Sequence, residues 1–171
     1  MNDSNIIDDK TKYIIDVSEE DFIEKVIEAS EQQLIVVDFW APWCGPCKQL
    51  GPMIENVVKK FDGRVVLAKV NIDENQQIAA QLRVQSIPTV MSFKNKKIAN
   101  AFQGAIPEGK IIEFIEQSLG EKLAKDNAEF FKNISELFNK KQFEEALNEL
   151  EAFIGENSKD VKAIKLYLSC L

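Results

Sequence analysis

The architecture of this chain depends on one segment, which reads Val36-Val37-Asp38-Phe39-Trp40-Ala41-Pro42-Trp43-Cys44-Gly45-Pro46-Cys47-Lys48. The apolar run at residues 34–39 predicts a strand that is buried on both of its faces. A short loop with Pro42 follows, and then a Cys-Gly-Pro-Cys turn that opens an amphipathic helix. Cys44 therefore lies where the strand has ended and the helix begins.

Two cysteines three residues apart at the start of a helix favour redox chemistry. The free N–H groups and the positive dipole end of the helix stabilise a thiolate at Cys44. This lowers the pKa of the thiol from about 8.5 toward ambient pH, where an attacking thiol works best. Cys47 lies one turn deeper, and we expect its sulfur to be more shielded from solvent than that of Cys44. We predict that Cys44 attacks a disulfide and that Cys47 resolves the product.

The segment resembles the thioredoxin family, since Trp43-Cys44-Gly45-Pro46-Cys47 is the motif of that family without a change. The resemblance extends over residues 13–119, because further family features follow in order. They are the strand with Asp38, Pro52 in the next helix, Ile87-Pro88-Thr89, and Phe93-Lys94-Asn95 before a hairpin turn. The resemblance implies an α/β thioredoxin fold, in which helices flank a central mixed five-stranded sheet.

The resemblance also implies roles for two charged residues. Asp38 would be the buried acid that takes the proton of the resolving thiol of Cys47, directly or through water. Desolvation in an apolar strand raises the pKa of such a carboxyl group. Lys69, in the middle of the next strand, would be the partner of that acid. The alternative for Lys69 is a side chain that reaches out to solvent.

A substrate surface around Cys44 is implied as well. Gly45 and Pro46 set the turn that holds the two sulfurs in reach. The bond before Pro88 is expected to be cis, which would place the Ile87 backbone where an extended substrate segment can bind as an added strand. The alternative is a trans proline at a strand edge. The remaining members of this shallow apolar surface are Trp40, Trp43 and Gly104.

The other elements of the first domain follow from apolar periodicity and turn residues. Strands are expected at residues 13–17, 65–70, 90–93 and 98–102, and helices after Ser18, over residues 75–82 and over residues 107–119. Lys96 stands where the family usually has a glycine. We therefore expect Asn95 in the left-handed conformation and a slightly costlier hairpin turn.

Composition excludes several other classes of protein. No apolar run approaches the roughly 18 residues of a membrane span, and the acidic start of the chain does not resemble a signal peptide. The net charge of −7 does not suggest nucleic-acid binding. With no histidine and three cysteines, we expect neither a zinc site nor a cofactor. A cytoplasmic location follows, where a cysteine pair is more often catalytic than structural.

The pattern changes at residue 121, where strand signals and prolines stop. Three apolar stripes at helical spacing follow: Leu123, Phe130, Ile134, Leu137 and Phe138; then Phe143, Ala146, Leu147, Leu150, Phe153 and Ile154; then Val161, Ala163, Ile164, Tyr167, Leu168 and Leu171. They are similar to one tetratricopeptide repeat and the start of another, an array that we expect to be incomplete. The alternative is a plain helical hairpin that docks on the first domain. The division is thus a flexible acidic N-terminus (1–12), a thioredoxin domain (13–120) and a helical segment (121–171).

This arrangement resembles the bacterial chaperedoxins, in which a thioredoxin domain precedes repeats and client proteins are protected for transfer to chaperones. The resemblance implies a protein-disulfide reductase that is coupled to client protection. The alternative is a holdase or adaptor whose thioredoxin fold mainly binds clients. Expected partners are client proteins with disulfides or extended segments, thioredoxin reductase or another dithiol donor, and a chaperone that binds residues 121–171.

Overall fold

The computed structural model describes residues 12–123, 127–156, 158 and 160–170. The chain divides into two compact units between Leu123 and Ala124. We call residues 12–123 the sheet unit and residues 127–170 the helical unit. The N-terminus that was predicted to be flexible, apart from Lys12, and Leu171 of the third stripe lie outside the described residues.

The sheet unit contains a five-stranded mixed sheet, as predicted. Its strands are β1 (Ile14–Asp16), β2 (Leu34–Trp40), β3 (Val65–Asn71), β4 (Thr89–Lys94) and β5 (Lys97–Gln103). They lie in the order β1-β3-β2-β4-β5. β3 runs parallel to both β1 and β2, whereas β4 is antiparallel to β2 and to β5. The sequence of β2, apolar apart from Asp38, explains its central place, because both of its faces are covered.

Helices cover both faces of the sheet. The chain forms α1 (Gly45–Lys60), α2 (Gln76–Gln81) and α3 (Glu108–Leu119) in the sheet unit. Side chains of α1 and α3 pack against Leu34 and Val36 of β2. The neighbouring residues Ile35 and Val37 pack on the opposite side, with Phe22 and Ile78. This alternation places Asp38, two residues after Val36, on the face that is covered by α1.

The helix that was predicted after Ser18 differs in type from its expectation. The Asp21 carboxylate accepts hydrogen bonds from the Ser18 N–H at 2.7 Å and from its hydroxyl at 3.0 Å, but Ser18 does not cap the helix, whose N-cap is Phe22 without a side-chain hydrogen bond. Ile23–Glu28 then form a π-helix, followed by a short 3₁₀ turn at Ala29–Glu31. Apolar spacing alone could not distinguish this rare geometry from an α-helix.

The hairpin between β4 and β5 is tied to the end of this first helical segment. Asn95 and Lys96 have φ angles of 52° and 64°, so both residues of the turn are left-handed, whereas the sequence predicted this only for Asn95. The carbonyl of buried Ser30 accepts the Asn95 N–H at 2.9 Å. The Ser30 hydroxyl accepts the Lys96 N–H at 2.8 Å and donates to the Ile27 carbonyl at 2.6 Å.

Leu123 belongs to the sheet unit, which corrects its assignment to the first stripe of the tail. Its side chain packs against the core beneath α1 and α3, and its N–H donates to Glu116 at 2.7 Å. Glu121 forms an ion pair with Arg64 at 3.2 Å. Gly120 ends α3 with a φ of 77°, which turns the chain so that these contacts can form.

The helical unit consists of α4 (Ala128–Asn139), α5 (Phe143–Glu156) and α6 (Val161–Ser169). The three predicted stripes, apart from Leu123 and Leu171, lie on these helices. The fully buried cluster comprises Ile134, Leu150 and Ala163, and the rings of Phe130 and Phe153 stack above it at 4.1 Å. Across the described residues of both units, no helix combines the length and apolarity that crossing a membrane requires.

Candidate active site

The cysteine pair lies at the start of α1. β2 ends at Trp40, and Cys44 caps the helix in an extended conformation with φ −84° and ψ 106°. The sulfurs of Cys44 and Cys47 are joined in a disulfide of 2.09 Å. The Cys47 backbone N–H also donates to the Cys44 sulfur at 3.2 Å. Once the disulfide is reduced, this donor and the helix dipole favour negative charge on the Cys44 sulfur.

The burial of the pair differs from its prediction. Cys44 is 4% exposed and Cys47 is 5% exposed, so neither residue is more shielded than the other in the disulfide form. The adjacent Trp43, by contrast, is 68% exposed. The cysteines themselves are covered because Trp40, Ile72 and Ile87 pack against them. Both sulfurs are therefore largely shielded from solvent in the disulfide form.

The two tryptophans occupy different environments beside the pair. The Trp43 indole N–H donates to both carboxylate oxygens of Asp73, at 3.2 and 3.1 Å. Asp73 follows β3 and was not singled out in the sequence, where nothing distinguishes it from other surface acids. Trp40 lies against the cysteines, and its buried indole N–H has no hydrogen-bond partner among the described atoms.

The loop before β4 reaches the cysteine pair. The Ile87–Pro88 peptide bond is cis, as the resemblance implied, and Ile87 packs against the pair. The Pro88 carbonyl accepts the Gly104 N–H at 2.8 Å, so Gly104 is connected to the same loop. Gly45 and Pro46 are exposed in the first turn of α1.

Asp38 is the buried acid of the site. It is 1% exposed, and neither of its carboxylate oxygens has a hydrogen-bond partner among the described atoms. A Cβ added to Gly51 of α1 would lie 4.0 Å from Asp38 Oδ2, which places this carboxylate directly beneath α1. Burial raises the pKa of Asp38 to about 6, against an opposing effect of Lys69 and with a further rise from Glu55.

Lys69 is paired with Glu55, a residue that the sequence analysis did not single out. Lys69 is the register partner of Asp38 on the adjacent strand, but its amino group donates to Glu55 Oε1 at 2.9 Å. The same amino group lies 5.7 Å from the centre of the Trp40 ring. Glu55 follows Gly51 by four residues and so shares its face of α1, but only the packing of α1 on the sheet brings that face to Lys69.

Comparison with known proteins covers the same part of the chain. The Thioredoxin family model matches residues 13–117. The chain is 36% identical over 105 residues to a thioredoxin of Chlorobaculum thiosulfatiphilum, covering 61% of this chain and 95% of that protein. It is 39% identical over 106 residues to a thioredoxin of Haemophilus influenzae, covering 62% and 97%. A chloroplastic M-type thioredoxin of Spinacia oleracea is 40% identical over 108 residues, which cover 63% of this chain and 59% of the spinach protein. The fold, the Cys44–Cys47 pair and these matches agree, and the chain belongs to the thioredoxin family.

Proposed function

We propose that this protein reduces disulfides in other proteins, with Cys44 as the attacking thiol and Cys47 as the resolving thiol. One observation carries the proposal: the two sulfurs are bonded at the start of α1, with the Cys47 N–H 3.2 Å from the Cys44 sulfur. A bonded pair can store two electrons when it is reduced. The donor at Cys44 distinguishes the sulfur that is better suited to attack.

The reaction proceeds in two exchanges. The Cys44 thiolate of the dithiol form attacks one sulfur of the substrate disulfide, forms a mixed disulfide and releases the first substrate thiolate. Cys47 then loses its proton and attacks the Cys44 sulfur, which releases the second substrate thiolate and closes the Cys44–Cys47 disulfide. Two electrons have moved from the protein to the substrate. Thioredoxin reductase or another dithiol donor restores the dithiol form in a reducing, cytoplasmic compartment.

Asp38 takes the proton of Cys47 in this proposal. Its pKa of about 6 makes it mainly a carboxylate at pH 7, and this carboxylate has no hydrogen bond that must be broken before it accepts a proton. A base with a pKa just below the working pH is well matched to this task. Lys69 stabilises the charged form of Asp38 from the adjacent strand.

An extended substrate segment would bind beside the pair. The Ile87 backbone would pair with it as an added strand, since Ile87 packs directly on the cysteines. Exposed Trp43 offers apolar surface beside Cys44. The other contacts are assigned to Trp40, Gly45, Pro46, Pro88 and Gly104.

Trapping tests the order of attack. In Cys47→Ser the second exchange is blocked, so substrate proteins stay bound to Cys44 through a disulfide that dithiothreitol releases. Cys170→Ser serves as the background, because Cys170 is the free cysteine of the described chain. The matched control is Cys44→Ser in the same background with Cys47 retained, and trapping at equal yield through Cys47 in that control would exclude Cys44 as the preferred attacking residue.

We also propose that the helical unit protects client proteins, as a tetratricopeptide-like extension of the chaperedoxin type that can pass clients to a chaperone. The supporting observation is its exposed apolar surface, where Phe143, Val161 and Leu168 are 50%, 59% and 62% exposed. Exposed apolar side chains of this kind bind unfolded segments. The rival proposal is a holdase or adaptor whose thioredoxin fold itself mainly binds clients.

Suppression of client aggregation separates the two proposals. A role of the helical unit requires that protection survives Cys44→Ser with Cys47→Ser and is lost when residues 124–171 are deleted. Protection that survives the deletion supports client binding by the sheet unit. The deletion begins after Leu123, since removal from residue 121 would also take away the contacts of Glu121 and Leu123 with the sheet unit.

A further inference from the structure

Lys69 has two possible carboxylate partners, and the structure shows it bound to one of them. It faces Asp38 across the β2–β3 pair, yet its hydrogen bond goes to Glu55 at 2.9 Å. The side chains of Lys69 and Glu55 are 26% and 28% exposed, so this ion pair is partly shielded from water. The Trp40 ring, 5.7 Å from the amino group, adds a second interaction.

We propose that Glu55 is a positioning residue that holds Lys69 off Asp38 and thereby keeps the Asp38 carboxylate a competent base for the thiol of Cys47. The inference rests on the proposed function, in which Asp38 takes that proton. It assigns the control of this step to a residue of α1 that touches neither the sulfurs nor the substrate surface.

The charges around Asp38 support this role. Lys69 from β3 and Glu55 from α1 are the charged groups that act on it. Its register partner on β4 is the apolar Val90, and the buried residues that α3 contributes to this core are Ile111, Phe114 and Ile115. Cys47, which can titrate once the disulfide is reduced, lies four residues before Gly51 and so on the face of α1 that covers Asp38. The Asp38 carboxylate is therefore governed by one cation and by the anion that neutralises it.

Loss of Glu55 favours ionisation of Asp38 in two ways. The negative charge that disfavours ionisation of Asp38 disappears, and the released amino group of Lys69 can turn to the unpaired Asp38 oxygens. Both effects favour the charged carboxylate and lower its affinity for a proton. Asp38 would then accept the Cys47 proton less readily, and attack of Cys47 on the Cys44 sulfur of the mixed disulfide would slow.

The direct test is a pH titration of the Asp38 side-chain carboxyl carbon by NMR in the full-length oxidised protein. The signal is assigned by its absence in Asp38→Asn. In Glu55→Gln we expect the pKa of Asp38 to fall by about one pH unit, as an uncompensated cation nearby produces. An unchanged titration would overturn the inference.

Three further variants control for the alternatives. Glu55→Asp keeps the charge and should keep most of the wild-type titration. Glu113→Gln removes the same charge from an exposed pair with Lys110 on α3 and should have no effect. Lys69→Met should raise the pKa of Asp38, and Glu55→Gln in that background should then shift it less than in the wild type. An equal shift in both backgrounds would show that Glu55 does not act through Lys69.

Kinetics separate this inference from the proposed function. The rate at which Cys47 resolves a preformed mixed disulfide should fall about threefold in Glu55→Gln near pH 7, as expected for a weaker general base. The increase of this rate with pH should begin at a lower pH in Glu55→Gln than in the wild type. If the wild-type protein reduces no protein disulfide, the proposed function fails, although Asp38 can still titrate as described. If the wild type is active and Glu55→Gln alters neither titration nor rate, the inference alone fails.

Discussion

The sheet unit and the helical unit hold their cysteines in different ways. Cys44 and Cys47 are almost completely buried, and residues from separate loops cover them. Cys170 lies at the end of α6, partly exposed, with its sulfur 2.9 Å from the Leu166 carbonyl four residues earlier. Residues from distant parts of the chain close over the first pair, whereas Cys170 packs partly exposed against the cluster of Ile134, Leu150 and Ala163. Chemistry that needs a shielded pair of sulfurs is therefore confined to the sheet unit.

The largest expected difference between the two units appears when one cysteine is removed from each. Cys44→Ser should reduce disulfide-reductase activity on the order of a thousandfold or more, because Cys47 is left without the partner thiol that completes the exchange. Cys170→Ser should leave the activity unchanged. Reduction of insulin with dithiothreitol as donor measures both. Activity that persists in Cys44→Ser and disappears in Cys170→Ser would reverse the comparison.

The second test concerns the cores. Leu150 is completely buried with Ile134 and Ala163, so Leu150→Ala should destabilise the helical unit by about 3 to 4 kcal/mol. We expect helical circular dichroism to be lost at lower temperature, while reductase activity persists. Leu168→Ala is the matched control, since Leu168 is 62% exposed. Loss of both properties at the same temperature in Leu150→Ala would mean that the units unfold together.

The third test uses the buried acid. Because the pKa of Asp38 is raised from 3.8 to about 6, the folded state binds a proton that the unfolded state releases between these values. The protonated Asp38 carboxyl group therefore stabilises the folded state. This stabilisation is complete below pH 4 and is lost as the pH rises through 6. The stability of Asp38→Asn relative to wild type should therefore increase by about 3 kcal/mol from pH 4 to pH 8. Urea unfolding of the oxidised proteins measures this, and a constant difference would contradict it.

Asp16→Asn provides the control for this titration, because Asp16 lies in the same sheet with an exposed side chain. Its stability relative to wild type should change much less between pH 4 and pH 8. Asp38 lies in the sheet unit, so its titration acts on the unfolding of that unit. A similar pH dependence of the helical transition would thus point to an origin outside Asp38.

The smallest expected effect lies in the hairpin. Lys96 adopts a φ of 64°, a conformation that costs a side-chain-bearing residue about 1 kcal/mol and glycine little. Lys96→Gly should therefore stabilise the sheet unit by about that amount, since its N–H can still donate to Ser30. Lys97→Gly, within β5, should instead destabilise it. Thermal unfolding distinguishes the two, and equal effects would exclude a conformational origin.

Much of the fold could be predicted because local and long-range signals agree in the sheet unit. The apolar run of β2 required burial on both faces, and the motif around Cys44 determined where the following helix starts. The resemblance supplied the cis bond before Pro88, which no local propensity reveals. In the helical unit, periodicity alone was enough to predict three helices, but the repeat type remains a prediction.

The parts that could not be predicted depend on choices between equivalent local interactions. A lysine beside a buried aspartate was expected to pair with it, but Lys69 binds Glu55, and only the packing of α1 on the sheet decides this. The burial of Cys44 arises from Ile72 and Ile87, which are distant in sequence. Leu123 has the spacing of a helical stripe, and only the turn at Gly120 reveals that it returns to the first core.

Ser30 connects the end of the first helical segment to the hairpin between β4 and β5. Its carbonyl and hydroxyl together accept the N–H groups of Asn95 and Lys96, while the hydroxyl donates to Ile27. A hairpin tip normally exchanges its amide hydrogens with water almost freely. Here both amides are hydrogen-bonded to a buried residue. Their exchange with water therefore requires the end of the first helical segment to move together with the hairpin tip.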